Sequence, residues 1–235
     1  MISIDTVYQK VLAVANKEQR GYITPQEFNL FADKAQKEIV DQYFYDINQF
    51  GRLHGNDTEY ADMLDLLSEK ISVLEVRDMG VTVPATGILT YQNLRFPVYR
   101  LGSIMMPNGT KIQEVNNNEF YNLRSSPLMR PSLTSPSGPV FVNRFDGLNI
   151  DPPNVGTVDV SYIKLYKPQW GYVVVNEKAL FDPDPAKTTN FDLHPVEESE
   201  LVNRILMLAG ITLEKPGLTQ VAASLEAAKI QQEKQ

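Results

Sequence analysis

The chain has 235 residues, no cysteine and a net charge of −7, with 43% hydrophobic and 22% charged residues. That length can bury a core in one domain or two, and the missing cysteines exclude disulfides, thiol nucleophiles and cysteine zinc sites together. Net acidity argues against a general nucleic-acid binder. No run approaches 18 apolar residues, and "MISIDTVYQK" has no basic region followed by an apolar core, so neither a membrane span nor a secretion signal is expected.

Ile4, Val7, Val11, Leu12 and Ala15 recur at helical spacing and predict a first helix over residues 4–16. The following stretch, "NKEQRGYITPQEF", has the outline of a calcium loop, with Gly21 sixth and Glu27 twelfth if Asn16 is first. The other ligand positions fail. Asn16 stands for the usual aspartate, Glu18 is too long, and Arg20 places a permanent cation where a ligand belongs. The same letters read without departures as a helix start: Thr24 is the N-cap, Pro25 takes the first helical position, and Glu27 completes a capping box. The helix it opens carries Phe28, Phe31, Ala32, Ala35, Ile39, Tyr43 and Phe44 on one stripe and runs to about Ile47.

A loop over 48–57 precedes a third helix, capped by Asp57 or Thr58, that holds Tyr60, Met63, Leu64, Leu67 and Ile71. From Val73 the pattern changes to short apolar or alternating runs. Asn108-Gly109 and Asp146-Gly147 signal two tight hairpins. Between them "NNNEFYNLRSS" suits a short helix capped near Asn117 or Asn118, and "SSPLMRPSLTSPSGP" is a loop. Helix returns at Pro195, with Glu197, Glu198 and Glu200 at its positive end and Gly210 closing it. Its apolar residues cover more than one face, which predicts burial between partners. A last helix, about Leu218 to Gln232, has only the narrow stripe of Leu218, Val221, Ala222, Leu225 and Ala228, too weak for a free helix of that length.

The expected fold class is α+β, a helical bundle from both termini with a central antiparallel β module. The expected divisions are 1–72 (helical hairpin or three-helix layer), 73–190 (antiparallel β module with long loops) and 191–235 (C-terminal helices packing on the N-terminal layer). Charge follows a similar division: residues 1–80 carry 8 basic and 14 acidic side chains, 81–175 carry 8 and 5, and 176–235 carry 6 and 10. This fits either different partners for middle and ends or plain solvated surface.

Chemistry is sparse. There are two histidines: His54 lies in a glycine-flanked loop, and His194 before Pro195 is placed to cap a helix. No nucleophile elbow, zincin or phosphate-loop motif occurs. Asp182 and Asp184 precede prolines and read as turn residues without a third metal ligand. Arg95, Arg100, Arg124, Arg130 and Arg144 are single and widely spaced, against direct sequence readout. No catalytic residue, metal ligand or cofactor is expected.

Three stretches carry a resemblance: "VYQKVLAVANKEQRGYITPQEFNLFADKAQKEIVDQYFYD", "NEFYNLRSSPLMRPSLTSPSGPVFV" running on to "VSYIKLYKPQWGY", and "NFDLHPVEESELVNRILMLAGITL". Together, over nearly the whole chain, they resemble the head-to-tail connector and ring proteins of short-tailed, crAss-like and related marine phages. The resemblance implies a non-enzymatic virion protein made in the bacterial host cytoplasm and placed at the capsid–tail junction. Such adaptors form a ring, typically twelvefold, beneath the portal and extend the DNA channel toward the tail or the next ring protein, with no sequence-specific DNA binding and no membrane. It further implies that the terminal helices, through Leu218, Val221, Ala222 and Leu225, meet the portal or a neighbouring subunit, and that the β part meets neighbours or the tail. The alternatives are another virion ring or tail-tube protein, a calcium-responsive EF-hand-like binding protein, or a carbohydrate-active enzyme.

Overall fold

The structure, a computed structural model, describes residues 1–17, 23–50, 58–133, 138–176, 178–212 and 224. The chain divides into two compact units, the first formed by Met1–Val73 with Tyr166–Gln235 and the second by Leu74–Leu165. Residues 166–190, grouped with the β module on sequence, lie in the first unit.

In the first unit, helices α1 (Ile4–Lys17), α2 (Pro25–Phe50) and α3 (Thr58–Ser72) precede α5 (Glu198–Thr212). The start of α1 is fixed from a distance, since the Ile4 N–H donates to Asn190 Oδ1 at 3.1 Å. The start of α2 is the reciprocal pair of a capping box. Glu27 N–H donates to Thr24 Oγ1 at 3.3 Å and Thr24 N–H donates to Glu27 Oε2 at 3.0 Å. Phe28, Ala32, Ala35, Ile39 and Tyr43 are buried along α2 at steps of three or four, with Val40 buried beside them. α5 packs against both α1 and α2, and α3 against α2. This accounts for the burial of Leu201, Ile205, Leu206, Leu208 and Ala209 over more than one face.

Two polar side chains of α2 hold the segment that returns from the second unit. Asn29 accepts from the Trp170 N–H at 2.7 Å and donates to the Trp170 carbonyl at 3.3 Å. Gln36, fully buried, donates to the Tyr166 carbonyl at 2.8 Å and accepts from the Asp192 N–H at 3.0 Å, while Asp192 accepts from the Tyr166 N–H at 2.9 Å. A buried polar group without a partner costs free energy comparable to a lost hydrogen bond, so this network fixes where that segment lies. Trp170 itself sits on Tyr8, 4.3 Å between ring centroids, with its indole N–H on Asp5 Oδ1 at 3.0 Å. Next to it, strands β8 (Tyr172–Val175) and β9 (Lys178–Phe181) form a separate two-stranded sheet.

The second unit is a seven-stranded sheet in the order β1-β7-β3-β4-β5-β6-β2. Its members are β1 (Glu75–Thr82), β2 (Ile88–Thr90), β3 (Val98–Met105), β4 (Lys111–Glu114), β5 (Val140–Arg144), β6 (Gly147–Asp151) and β7 (Thr157–Lys164). The core beneath it contains Leu89, Ile104, Ile112, Phe141, Leu148, Val158 and Val160. A bulge interrupts β1 between Asp78 and Val81. Asp159 on β7 holds it, accepting from the Gly80 N–H and from Arg77, each at 2.9 Å.

The expected class, a helical bundle from both termini around an antiparallel β module, is corrected on two points. The large sheet is mixed, because β4 and β5 pair in parallel. Helix α4 (Asn117–Ser125) forms the crossover that parallel pairing requires, and its Phe120 is buried with Val115, Val140 and Val142. In addition, the terminal segments do not make a helical bundle. Their unit includes the β8–β9 sheet and the bridges Ile2↔Phe191 and Gln169↔Thr189, and the fold as a whole is dominated by sheet.

Both hairpin signals fall in antiparallel hairpins, β3–β4 and β5–β6, but the two glycines take different places in them. Asn108-Gly109 is a turn, with Gly109 at φ 84° and its N–H on the Met106 carbonyl at 2.9 Å. Gly147 is a strand residue instead. It pairs with Arg144, which leaves Phe145 and Asp146 as the turn. A Cβ at Gly147 would come within 2.3 Å of the Leu89 carbonyl oxygen, so glycine is required there by the close approach of β2.

Candidate assembly surfaces

The residues singled out for chemistry are engaged in local structure. His194 caps the 3-10 turn Pro195–Glu197 that leads into α5, its Nδ1 accepting from the Val196 N–H at 3.4 Å. Asp182 pairs with Lys187 at 2.7 Å and accepts from the Asp184 N–H at 3.2 Å. These two contacts, the lysine first, hold its carboxyl below the usual range, and the same pair raises the Lys187 ammonium. Asp184 in turn accepts from the Ala186 N–H. Both aspartates are thus turn-formers, and among the described residues no group of three His, Asp or Glu side chains is placed to hold a metal.

Glu27, the twelfth residue of the calcium-loop outline, has its carboxylate on the Thr24 N–H and hydroxyl, which lower its pKa in that order. The remaining loop positions 18–22, His54, and the stripe Leu218, Val221, Ala222 and Leu225 lie outside the described residues. The five arginines sit on separate pieces of the second unit. Arg95 lies against the Phe96 ring at 5.0 Å, Arg144 donates to Tyr121 Oη at 3.3 Å, Arg100 is on β3, Arg124 on α4 and Arg130 in the loop after it. No helix among the described residues is long and apolar enough to cross a membrane.

Each unit also presents large apolar side chains to solvent. In the second unit Phe145, at the tip of the β5–β6 hairpin, is fully exposed, Leu128 in the loop after α4 is 85% exposed, and Met79 at the β1 bulge is 73% exposed. Isolated exposed apolar residues are ordinary, but an aromatic ring at the tip of a two-residue turn has no local reason to be there. In the first unit Leu30, Tyr45, Leu66 and Val196 are exposed singly, while Val173, Val174, Val175 and Leu180 form an exposed group on the β8–β9 sheet.

That sheet has a buried root and a bare tip. Trp170 stacks on Tyr172 and Phe181 at 6.0 and 5.7 Å between centroids, and Gln26 Nε2 reaches Tyr172 Oη at 3.2 Å. The turn beyond uses Asn176 at φ 50°, the left-handed region that asparagine tolerates. Sequence patterning did not single out this hairpin. Its signals are the uninterrupted run Val173-Val174-Val175, with no polar residue on either face, and an asparagine directly after it. No protein-family model matches the chain, and no curated protein matches it.

Proposed function

We propose that this chain is a non-enzymatic structural protein of a phage virion, an adaptor ring between portal and tail through which DNA passes. The resemblance of the three sequence stretches supplies the family. The physical observation that supports it most is the apolar surface just described. Phe145, Leu128 and the β8–β9 valines stand in solvent on separate projections of both units, a surface suited to being buried by other subunits. A ring subunit meets a neighbour on each side as well as the proteins above and below, and needs several such contacts.

In this reading the channel wall is acidic or neutral polar more than basic, consistent with a net charge of −7, because a basic wall would hold the phosphate backbone and slow its passage. Another virion ring or a tail-tube subunit would use the same kinds of surface, and copy number and position separate them. The calcium-sensor reading is less favoured, since the Glu27 carboxylate is committed to the cap of α2. The test is quantitative peptide counting of purified particles, combined with antibody labelling of full and tail-less heads. A connector gives about a dozen copies at the single tail vertex. Hundreds of copies spread over capsid or tube, or absence from particles, would contradict it.

A further inference from the structure

We propose that the β8–β9 hairpin is a subunit contact, in which the β9 edge of one copy pairs antiparallel with the β8 edge of the next. This rests on the ring reading above and names the contact that would build the ring.

The backbone gives the first argument. β8 and β9 form a sheet of two strands in the register Tyr172↔Phe181, Val173↔Leu180, Val174↔Ala179 and Val175↔Lys178, and no third strand pairs with either among the described residues. The next pair down, Gly171 and Asp182, is hydrogen-bonded, with the Asp182 N–H on the Gly171 carbonyl at 3.0 Å. Hydrogen-bonded and non-bonded pairs alternate along an antiparallel ladder. Val173, Val175, Lys178 and Leu180 therefore turn their N–H and C=O groups inward. Tyr172 and Val174 on one edge, and Ala179 and Phe181 on the other, turn theirs outward.

The second argument is that these edges have little protection beyond their short length. Proteins blunt exposed edges with charge, proline, bulges or short strands. The large sheet does so at both of its edges: β1 carries Arg77, Asp78 and the bulge at Gly80, and β2 has only three residues. β8 and β9 are short, four residues each, but β8, Tyr-Val-Val-Val, has no charge, proline or bulge, and β9 has one lysine at its far end. Val174 is 62% exposed and Leu180 53% exposed, so a strand added to either edge would also cover apolar surface.

The geometry of the two edges then selects a second copy as the occupant. The two open edges lie on opposite sides of one hairpin and run antiparallel, so the β9 edge of one copy continues onto the β8 edge of another. The step repeats with the same operator, which is the heterologous contact that closes a ring.

The test uses the full chain. Val174→Pro and Ala179→Pro each delete one outward N–H and leave the inward ladder intact, a position where an edge strand tolerates proline. Val174→Thr keeps the N–H and removes apolar character only. The fluorescence of Trp170, the single tryptophan, reports whether the hairpin root is intact. By sedimentation velocity, each proline variant is expected to raise the concentration needed for assembly at least tenfold, with Trp170 emission unchanged and Val174→Thr close to wild type. The chain lacks cysteine, so engineered disulfides are unambiguous. Mixing a Val174→Cys protein with an Ala179→Cys or Phe181→Cys protein is expected to give covalent dimers between the two, and Val174→Cys alone none. Rings unaffected by both prolines, or cross-linking only through 174 to 174, would overturn the hairpin contact while leaving the ring reading standing. A wild-type chain that stays monomeric at every concentration would overturn both.

Discussion

Gly147→Ala is the substitution whose cost follows most directly from the backbone. The new Cβ would stand 2.3 Å from the Leu89 carbonyl oxygen and 2.7 Å from the Thr90 Cα, both backbone atoms of β2, so no side-chain rotation relieves it. β2 must move away from β6. Its ladder is only three pairs long, Ile88↔Asn149 to Thr90↔Gly147, and its one fully buried residue is Leu89. Exposing a buried leucine costs about 1.5–3 kcal/mol, and weakening the ladder adds about 1 kcal/mol. The expected loss is therefore about 2–4 kcal/mol, confined to the second unit. Gly109→Ala is the control. It meets nothing within 4 Å and suffers only from its φ of 84°, at about 1–2 kcal/mol. Hydrogen exchange of peptides covering 86–92 and 147–151 reads the effect where it occurs, while Trp170 fluorescence in urea follows the first unit. Fast exchange at Leu89 in Gly147→Ala, with the Trp170 transition unmoved, is the expected result. Unchanged exchange, or a cost equal to that of Gly109→Ala, would refute the reading of Gly147 as a close-approach glycine.

Thr24→Ala should cost about 0.5–2 kcal/mol through loss of the α2 cap, equally with and without calcium. Calorimetric binding at micromolar or tighter affinity that vanishes in Glu27→Gln would contradict the capping assignment. In acid, Asp159 is held below the ordinary aspartate range by the Gly80 N–H and then Arg77, and Asp182 and Glu27 are also lowered. The unfolded chain takes up these protons first. Their stabilisation is full above the unfolded values, about 4, and is lost as pH falls from there through the lower folded values. Asp159→Asn should flatten the acid limb of stability against pH, and an unchanged limb would count against the bulge clamp. Removing residues 217–235 should leave a folded chain, because α1, α2, α5 and the large sheet supply the described cores. Particle assembly should fail, with loss of tail attachment, and unfolding or normal assembly of the truncated chain would each contradict this.

Local chemistry was legible in this sequence, and long-range pairing was not. Thr24 and Glu27 announce a helix start because every partner lies within four residues, and Asn108-Gly109 announces a turn for the same reason. Gly147 looks like a turn glycine because Asp146 precedes it. Its actual constraint comes from Leu89, nearly sixty residues away, which no local pattern encodes. The parallel pairing of β4 with β5 was equally hidden. A strand of four or five residues carries no mark of direction, and Asn117–Ser125 reads as an isolated short helix until Phe120 is seen against Val140 and Val142. Gln36 interrupts an otherwise apolar stripe on α2, and that interruption was the available sign of a buried polar clamp. The run Val173-Val174-Val175 was not singled out in the sequence, because an uninterrupted apolar run does not say which side meets solvent, and only the fold shows it exposed.

The central claim is that copies of this chain close into a ring around a channel at the capsid–tail junction. Cryo-electron microscopy of the tail vertex tests it most directly. The expected map has a cyclic ring of this chain directly beneath the portal, with an open axial channel not dominated by arginine and lysine. A map in which the chain is monomeric, lies elsewhere in the particle, or surrounds no channel would contradict it.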